Sequence, residues 1–109
     1  AGAKTIIADL SIQNAESVAA EINISGGNAL AIAVDVSKKE SADMMVAATL
    51  KAFGRVDILV NNASLFSNLV KRPFDEISAA EWQKVMDVNI NGVFFCASSV
   101  TQAMRAQCF

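Results

Sequence analysis

Three observations predict an α/β fold in which a parallel sheet is covered by helices on both faces. Short apolar runs alternate with stretches of helical periodicity in the order strand, helix, strand, helix, strand, loop, long helix, the alternation from which such sheets are built. Each apolar run closes in polar residues, Asp9, Asp35, and Asn61 with Asn62, and ligands of these sheets bind beyond the carboxyl ends of the strands. Hydrophobic residues make up 53% of the 109, enough for a core but, at this length, for no more than one small domain.

Residues 4–8 (Lys-Thr-Ile-Ile-Ala) are short, apolar and partly β-branched, a buried strand ending in Asp9. Ser11 is placed to cap a helix whose apolar positions Ile12, Ala15, Val18, Ala19 and Ile22 recur at helical spacing, and Gly26-Gly27 stops it. A second buried strand spans residues 29–34 and closes in Asp35-Val36. Ser37-Lys38-Lys39-Glu40 has the S-x-x-E form of a capping box. It opens a helix through Met44, Met45, Ala48 and Leu50 to Phe53, ended by Gly54. The third strand covers residues 56–60, followed by an irregular stretch over 64–77 with the only proline, Pro73. A second capping box, Ser78-Ala79-Ala80-Glu81, starts the longest helix, which reaches Arg105. Val85, Val93, Phe94 and Val100 form its expected packing face. Trp82 is expected as a core or interface anchor, and Met44, Met45 and Met104 as gap fillers.

Composition excludes several classes. The net charge is −2 and the nine basic residues are scattered, Lys38-Lys39 and Lys71-Arg72 reading as solvated surface charge; nucleic-acid binding calls for a basic patch. Two unclustered cysteines, Cys96 and Cys108, and no histidine point to reduced thiols and no metal site. No apolar run is long enough to cross a bilayer, and Ala1-Gly2-Ala3-Lys4 lacks the regions of a signal peptide. A cytoplasmic protein is expected.

The most specific chemistry lies in Asn61-Asn62-Ala63-Ser64 and in Val88-Asn89-Ile90-Asn91-Gly92. An asparagine amide both donates and accepts, so Asn61 can tie neighbouring strand ends together or face a ribose. The small residues Ala63 and Ser64 let a ligand approach the backbone. Asn89 lies inside a helix, where its side chain competes for backbone hydrogen bonds and bends the helix or frees a carbonyl. Together these segments resemble the NNAG and catalytic-asparagine motifs of the short-chain dehydrogenases/reductases, with Ser64 where glycine is usual.

The resemblance runs over essentially residues 1–109, from the second strand to the fourth long helix of that family's fold. It implies a Rossmann-type doubly wound sheet and hydride transfer between a nicotinamide cofactor and a small alcohol or ketone. It also implies a homo-oligomer packed through the helix from Ser78, and a catalytic Asn89 that holds a water in the proton relay. Asp9 is then placed to accept hydrogen bonds from the adenosine ribose. Its charge would repel a 2′-phosphate, and no base follows in Leu10-Ser11-Ile12, which favours NAD over NADP. Asp35-Val36 offers a carboxylate to the adenine amino group and a backbone N–H to a ring nitrogen. The plainer alternative for both aspartates is a strand-to-helix turn.

The chain departs from the family at both ends. The glycine-rich pyrophosphate turn is not formed by Gly2, Gly26, Gly27, Gly54 or Gly92. The family's Tyr-x-x-x-Lys pair has no counterpart, because there is no tyrosine. The expectation is an incomplete sheet of three strands whose central neighbour, the family's first strand, is missing, in an internal fragment of a longer enzyme, inactive and poorly stable alone. Two other readings compete: a fragment of a Rossmann-like S-adenosylmethionine methyltransferase, and a non-catalytic short subunit that binds full-length partners.

Overall fold

Lys4–Asp9 form β1 and Asn28–Ala33 form β2, paired in parallel with Lys4 opposite Asn28 and Asp9 opposite Ala33. The Val34 N–H extends the ladder by donating to the Asp9 carbonyl at 2.9 Å. The structure, a computed structural model, describes residues 2–108. Helix α1, Ile12–Ile24, makes the crossover between the two strands and packs along both. Ser11 caps it by accepting from the Asn14 N–H at 3.3 Å. Ala15 and Ala19 are its buried positions, whereas Val18 is largely exposed. In its last turn, the Asn23 carboxamide exchanges two hydrogen bonds with the backbone of Ala29 (2.8 and 2.9 Å), fixing the start of β2 to the end of α1.

Helix α2, Lys39–Phe53, ends at Gly54, whose φ of 76° is the left-handed cap that glycine adopts without strain. Its start differs from the expected capping box. Ser37 donates through both its N–H and its hydroxyl to Asp35 Oδ1 (3.1 and 2.6 Å), and Lys38 occupies the cap with no side-chain bond. The aspartate two residues upstream captures the serine first, closing a turn instead of capping the helix.

The expected long helix is continuous but not uniform. Ser78 caps α3, Ala79–Met86, by accepting from the Glu81 N–H at 3.1 Å. Glu81 does not return the bond, because its carboxylate pairs with Arg72 at 3.4 Å. A π-turn over Asp87–Asn91 then leads into α4, Gly92–Ala106. Gly92, Cys96 and Val100 are the buried face of α4. Val93 and Phe94, expected on the packing face, point outward, with Phe94 67% exposed. Trp82 is 60% exposed and so no core anchor. Met44 is also exposed, while Met45 is buried and Met104 packs against the core.

The core is two small adjoining clusters of side chains from α2, α4 and the strand ends. Val34, Ala42, Met45 and Cys96 form one; Val46, Val56 and Val100 form the other. Leu59 touches both. Lys39, expected as solvated charge, crosslinks the helices: it pairs with Asp43 and donates to Ser99 Oγ (3.1 Å), and Ser99 Oγ donates to Asp43 (2.7 Å).

Residues 56–60, the expected third strand, join no ladder. Strand geometry needs a hydrogen-bonded neighbour, and neither β1 nor β2 lies beside this segment. Its start is held by other means. The Gln107 carboxamide bonds both the N–H and the carbonyl of Val56 at 2.9 Å. Ile58 and Val60 are 80% and 76% exposed. The chain presents 7763 Å² of accessible surface, against about 5,800 Å² for a compact monomer of its mass. Its radius of gyration is 15.8 Å, against about 13 Å. The observed fold is a Rossmann-like α/β fragment with uncovered faces.

Candidate functional site at the carboxyl edge of the sheet

Contacts link the candidate residues one to the next along the carboxyl edge of the sheet. Asp9 and Val34 share a backbone hydrogen bond (2.9 Å), which brings Asp35-Val36 beside Asp9. Val36 lies directly against Gly92, and Gly92 begins the helix that follows the π-turn carrying Asn89. Asn89 in turn holds Leu65, the residue after Ser64. Asn61 is joined to this series by no hydrogen bond among the described residues; it is exposed, as are Asn62, Ala63 and Ser64 after it.

Asp9 makes the turn that the plainer alternative supposed, since its Oδ1 accepts the Ser11 N–H at 2.8 Å. The second carboxylate oxygen takes no donor among the described residues, so the same side chain can close a turn and still face a ligand. Asp35 is built in the same way. Ser37 holds its Oδ1, the Lys38 ammonium stands 3.7 Å from Oδ2, and its own N–H donates to Ser41 Oγ at 2.9 Å. The hydrogen bond from the Ser37 hydroxyl, aided by the Ser37 N–H and by Lys38 and opposed by partial burial, holds the Asp35 carboxyl below the usual aspartate range. It is a fixed carboxylate at neutral pH. The Val36 N–H next to it donates to no acceptor among the described residues. A fixed acceptor beside an open donor is the pattern needed to read a heterocycle with adjacent amino and imine nitrogens.

Asn89 is half-buried, and both ends of its carboxamide are engaged. Oδ1 accepts the Leu65 N–H at 2.7 Å and Nδ2 donates to the Leu65 carbonyl at 3.1 Å. The side chain therefore holds the loop after Asn61-Asn62-Ala63-Ser64 against the helix. A π-turn shifts the backbone pairing by one residue and leaves a main-chain group of the turn unpaired, a geometry common at functional sites.

Between the 64–77 stretch and α3 lies a shallow groove of about 260 Å³. Leu65, Leu69 and Val85 supply apolar walls, with Arg72 and Lys84 at the rim. The Arg72–Glu81 pair ties this stretch to α3. Cys96 is buried, and burial pushes its thiol pKa up, so it is an inert core group. No cluster of metal-ligating side chains occurs among the described residues, and none of their helices is long and apolar enough to cross a membrane.

Two residues that hold the candidate site escaped the sequence reading, Ser41 and Leu65, and Gly92 was read only as part of the Asn89 segment. Ser41 and Leu65 act by contacts that no local pattern encodes. Gly92 did carry a signal, because a glycine inside a helix costs about 1 kcal/mol relative to alanine and so calls for a compensating close contact.

The fold has close counterparts. A family model described as short chain dehydrogenase matches residues 1–108. A short chain dehydrogenase/reductase of Aspergillus oryzae is 40% identical over 108 residues, covering 98% of this chain and 41% of that protein. A sorbitol dehydrogenase of Cereibacter sphaeroides is 40% identical over 105 residues, 96% of this chain and 39% of its own. Among solved structures, a gluconate 5-dehydrogenase of Burkholderia cenocepacia in complex with NADP and tartrate superposes with a TM-score of 0.85 at 29% identity, over 97% of this chain and 40% of that one. A 3-ketoacyl-(acyl-carrier-protein) reductase of Brucella melitensis complexed with NADH gives 0.85 at 34% identity, over 95% and 41%. This chain thus spans about two fifths of the length of these relatives. With the match running over residues 1–108, the chain belongs to the short-chain dehydrogenase/reductase family.

Proposed function

We propose that this chain supplies the adenosine half of a nicotinamide-dinucleotide site in an oxidoreductase that interconverts an alcohol and a ketone. The observation that carries this reading is the Asp35-Val36 pair, a carboxylate locked by Ser37 beside an unpaired N–H, at the edge where Asp9 and the asparagine loop also end. In this reading Asp35 accepts from the adenine amino group and the Val36 N–H donates to a ring nitrogen. The open oxygen of Asp9 accepts from the ribose hydroxyls, and Asn61, Ala63 and Ser64 flank the rest of the cofactor. When bound, the cofactor supplies the hydride acceptor or donor.

Asp9 favours NAD over NADP, because a second negative group beside its carboxylate would be repelled. Relatives with NADP and with NADH are both known, so the preference rests on Asp9 alone. Since the Asn89 carboxamide is occupied by Leu65, its part in a proton relay falls to a main-chain carbonyl of the π-turn, which can hold a water. The groove beside Leu65 forms part of one wall for a small alcohol or ketone. Residues 1–109 are then part of one cofactor-binding domain of a cytoplasmic enzyme. The exposed side chains of Trp82, Ile90 and Phe94 support an oligomer packed through the helix from Ser78.

Titration of NAD and of NADP into the isotopically labelled chain tests the assignment. NAD is expected to move the Asp9, Asp35 and Val36 amide resonances, and Asp9→Ala to weaken NAD binding about tenfold. Tighter binding of NADP overturns the role of Asp9.

A further inference from the structure

We propose that Gly92 is a positioning residue for the cofactor's adenine ring, acting through Val36; the proposal rests on the assignment of Val36 just given. Gly92 is buried and has ordinary helical angles (φ −59°, ψ −41°), so its backbone conformation does not call for glycine. The contact does. A Cβ at position 92 would lie 2.8 Å from Val36 Cγ2, 3.1 Å from Val36 Cβ and 3.3 Å from the Val36 carbonyl oxygen. The first distance is shorter than atoms tolerate and the others are tight, so either Val36 or the helix must shift.

Val36 has little room to retreat. On one side the Asp35 N–H is held by Ser41 Oγ at 2.9 Å. On the other, the Lys38 N–H donates to the Asp35 carbonyl at 3.1 Å, closing the turn around Val36. Asp35 is further fixed by its two bonds from Ser37. A push from position 92 therefore displaces the Val36 peptide, whose open N–H is the group proposed to meet the adenine. If the helix yields instead, the shift passes to Asn89, three residues earlier on the same helical run, and through it to Leu65. Glycine at this position lets the cofactor end and the asparagine end of the site be set by one rigid contact.

Adenosine is the probe, because it carries the adenine and ribose alone. It is titrated into the wild-type chain and into Gly92→Ala, Val36→Ala and the double variant, with binding read from the amide resonances. Gly92→Ala is expected to weaken binding about tenfold and to move the Val36 amide before any ligand is added. Val36→Ala alone is the reference for the double variant, so that the coupling between positions 36 and 92 is read from the full cycle. The double variant, from which the 2.8 Å partner has been removed, regains most of the affinity. Alanine is the better helix former, so loss of binding through loss of the helix is not expected. Should Gly92→Ala fail to fold, the double variant alone carries the test: it must fold and bind. Wild-type binding matched by Gly92→Ala, or a double variant that regains nothing, overturns the role of Gly92 and leaves the Val36 assignment standing. Failure of the wild type to bind with its Val36 amide overturns both.

Discussion

The carboxamide of Asn89 and the backbone of Leu65 exchange two hydrogen bonds, at 2.7 and 3.1 Å, across 24 positions of sequence. Asn89→Ala leaves a half-buried N–H and carbonyl without their partners, and is expected to destabilise the chain by about 1–3 kcal/mol. Asn89→Asp keeps the acceptor for the Leu65 N–H but sets a second acceptor against the Leu65 carbonyl, and falls in the same range. Urea unfolding measures the loss. Hydrogen exchange at Leu65 faster in both variants than in wild type ties it to this contact; unchanged exchange there would contradict it.

Gln107 does the corresponding work at Val56. Gln107→Leu removes both bonds from a buried residue, with an expected cost of about 1–2 kcal/mol and faster exchange of the Val56 amide. A variant as stable as the wild type would show that the two bonds are replaced by solvent.

Acid stability should depend on Asp35 and Asp43. The hydrogen bonds from Ser37 lower the first, and those from Lys39 and Ser99 lower the second. A carboxyl group whose folded pKa is depressed stabilises the fold above its unfolded pKa, and that contribution disappears as pH falls through the folded value. Stability is therefore expected to decline from about pH 4 downward. The decline is shallower in Asp35→Ala and shallowest in the double variant Asp35→Ala/Asp43→Ala. Thermal melts across this range read the slope, and parallel curves for all three proteins would refute the assignment.

Exposed Ile58, Val60 and Phe94 predict self-association of the 109-residue chain. Sedimentation velocity should show species heavier than a monomer, reduced by Ile58→Lys or Phe94→Glu. A monomer that melts sharply would refute this.

The 109 residues include no tyrosine, so no side chain here can serve as the phenolic acid/base that the family resemblance calls for. This polypeptide by itself is expected to reduce no NAD with any of a panel of secondary alcohols. Turnover above the uncatalysed rate would place the proton relay on other groups.

Much of the fold was legible because local rules agreed with the final contacts. Ser11 caps α1, Gly54 ends α2 and Ser78 caps α3, each where the pattern put it. The failures have identifiable causes. The run over residues 56–60 has strand composition, but a ladder requires a neighbour that composition does not provide. The packing face of the long helix was assigned by residue type rather than by angle. Gly92, Cys96 and Val100 recur every four residues and turn in, and Phe94, two residues from each of Gly92 and Cys96, lies about 200° away and turns outward. Of the site, the aspartates and asparagines were visible as residue types at strand ends. That Asn89 spends its side chain on Leu65 was not, because the partner is a main-chain group that carries no signature.

The hold of Gln107 on Val56, with Leu59 seated between the two core clusters, has a consequence for assembly. Residues 56–60 are anchored at one end and pinned in the middle before any neighbouring strand has joined them. Much of the ordering entropy of this segment is thus lost within the chain itself. A strand arriving from the same or another polypeptide meets a prepared template. Its register is set from the first contact, and pairing is closer to docking than to folding.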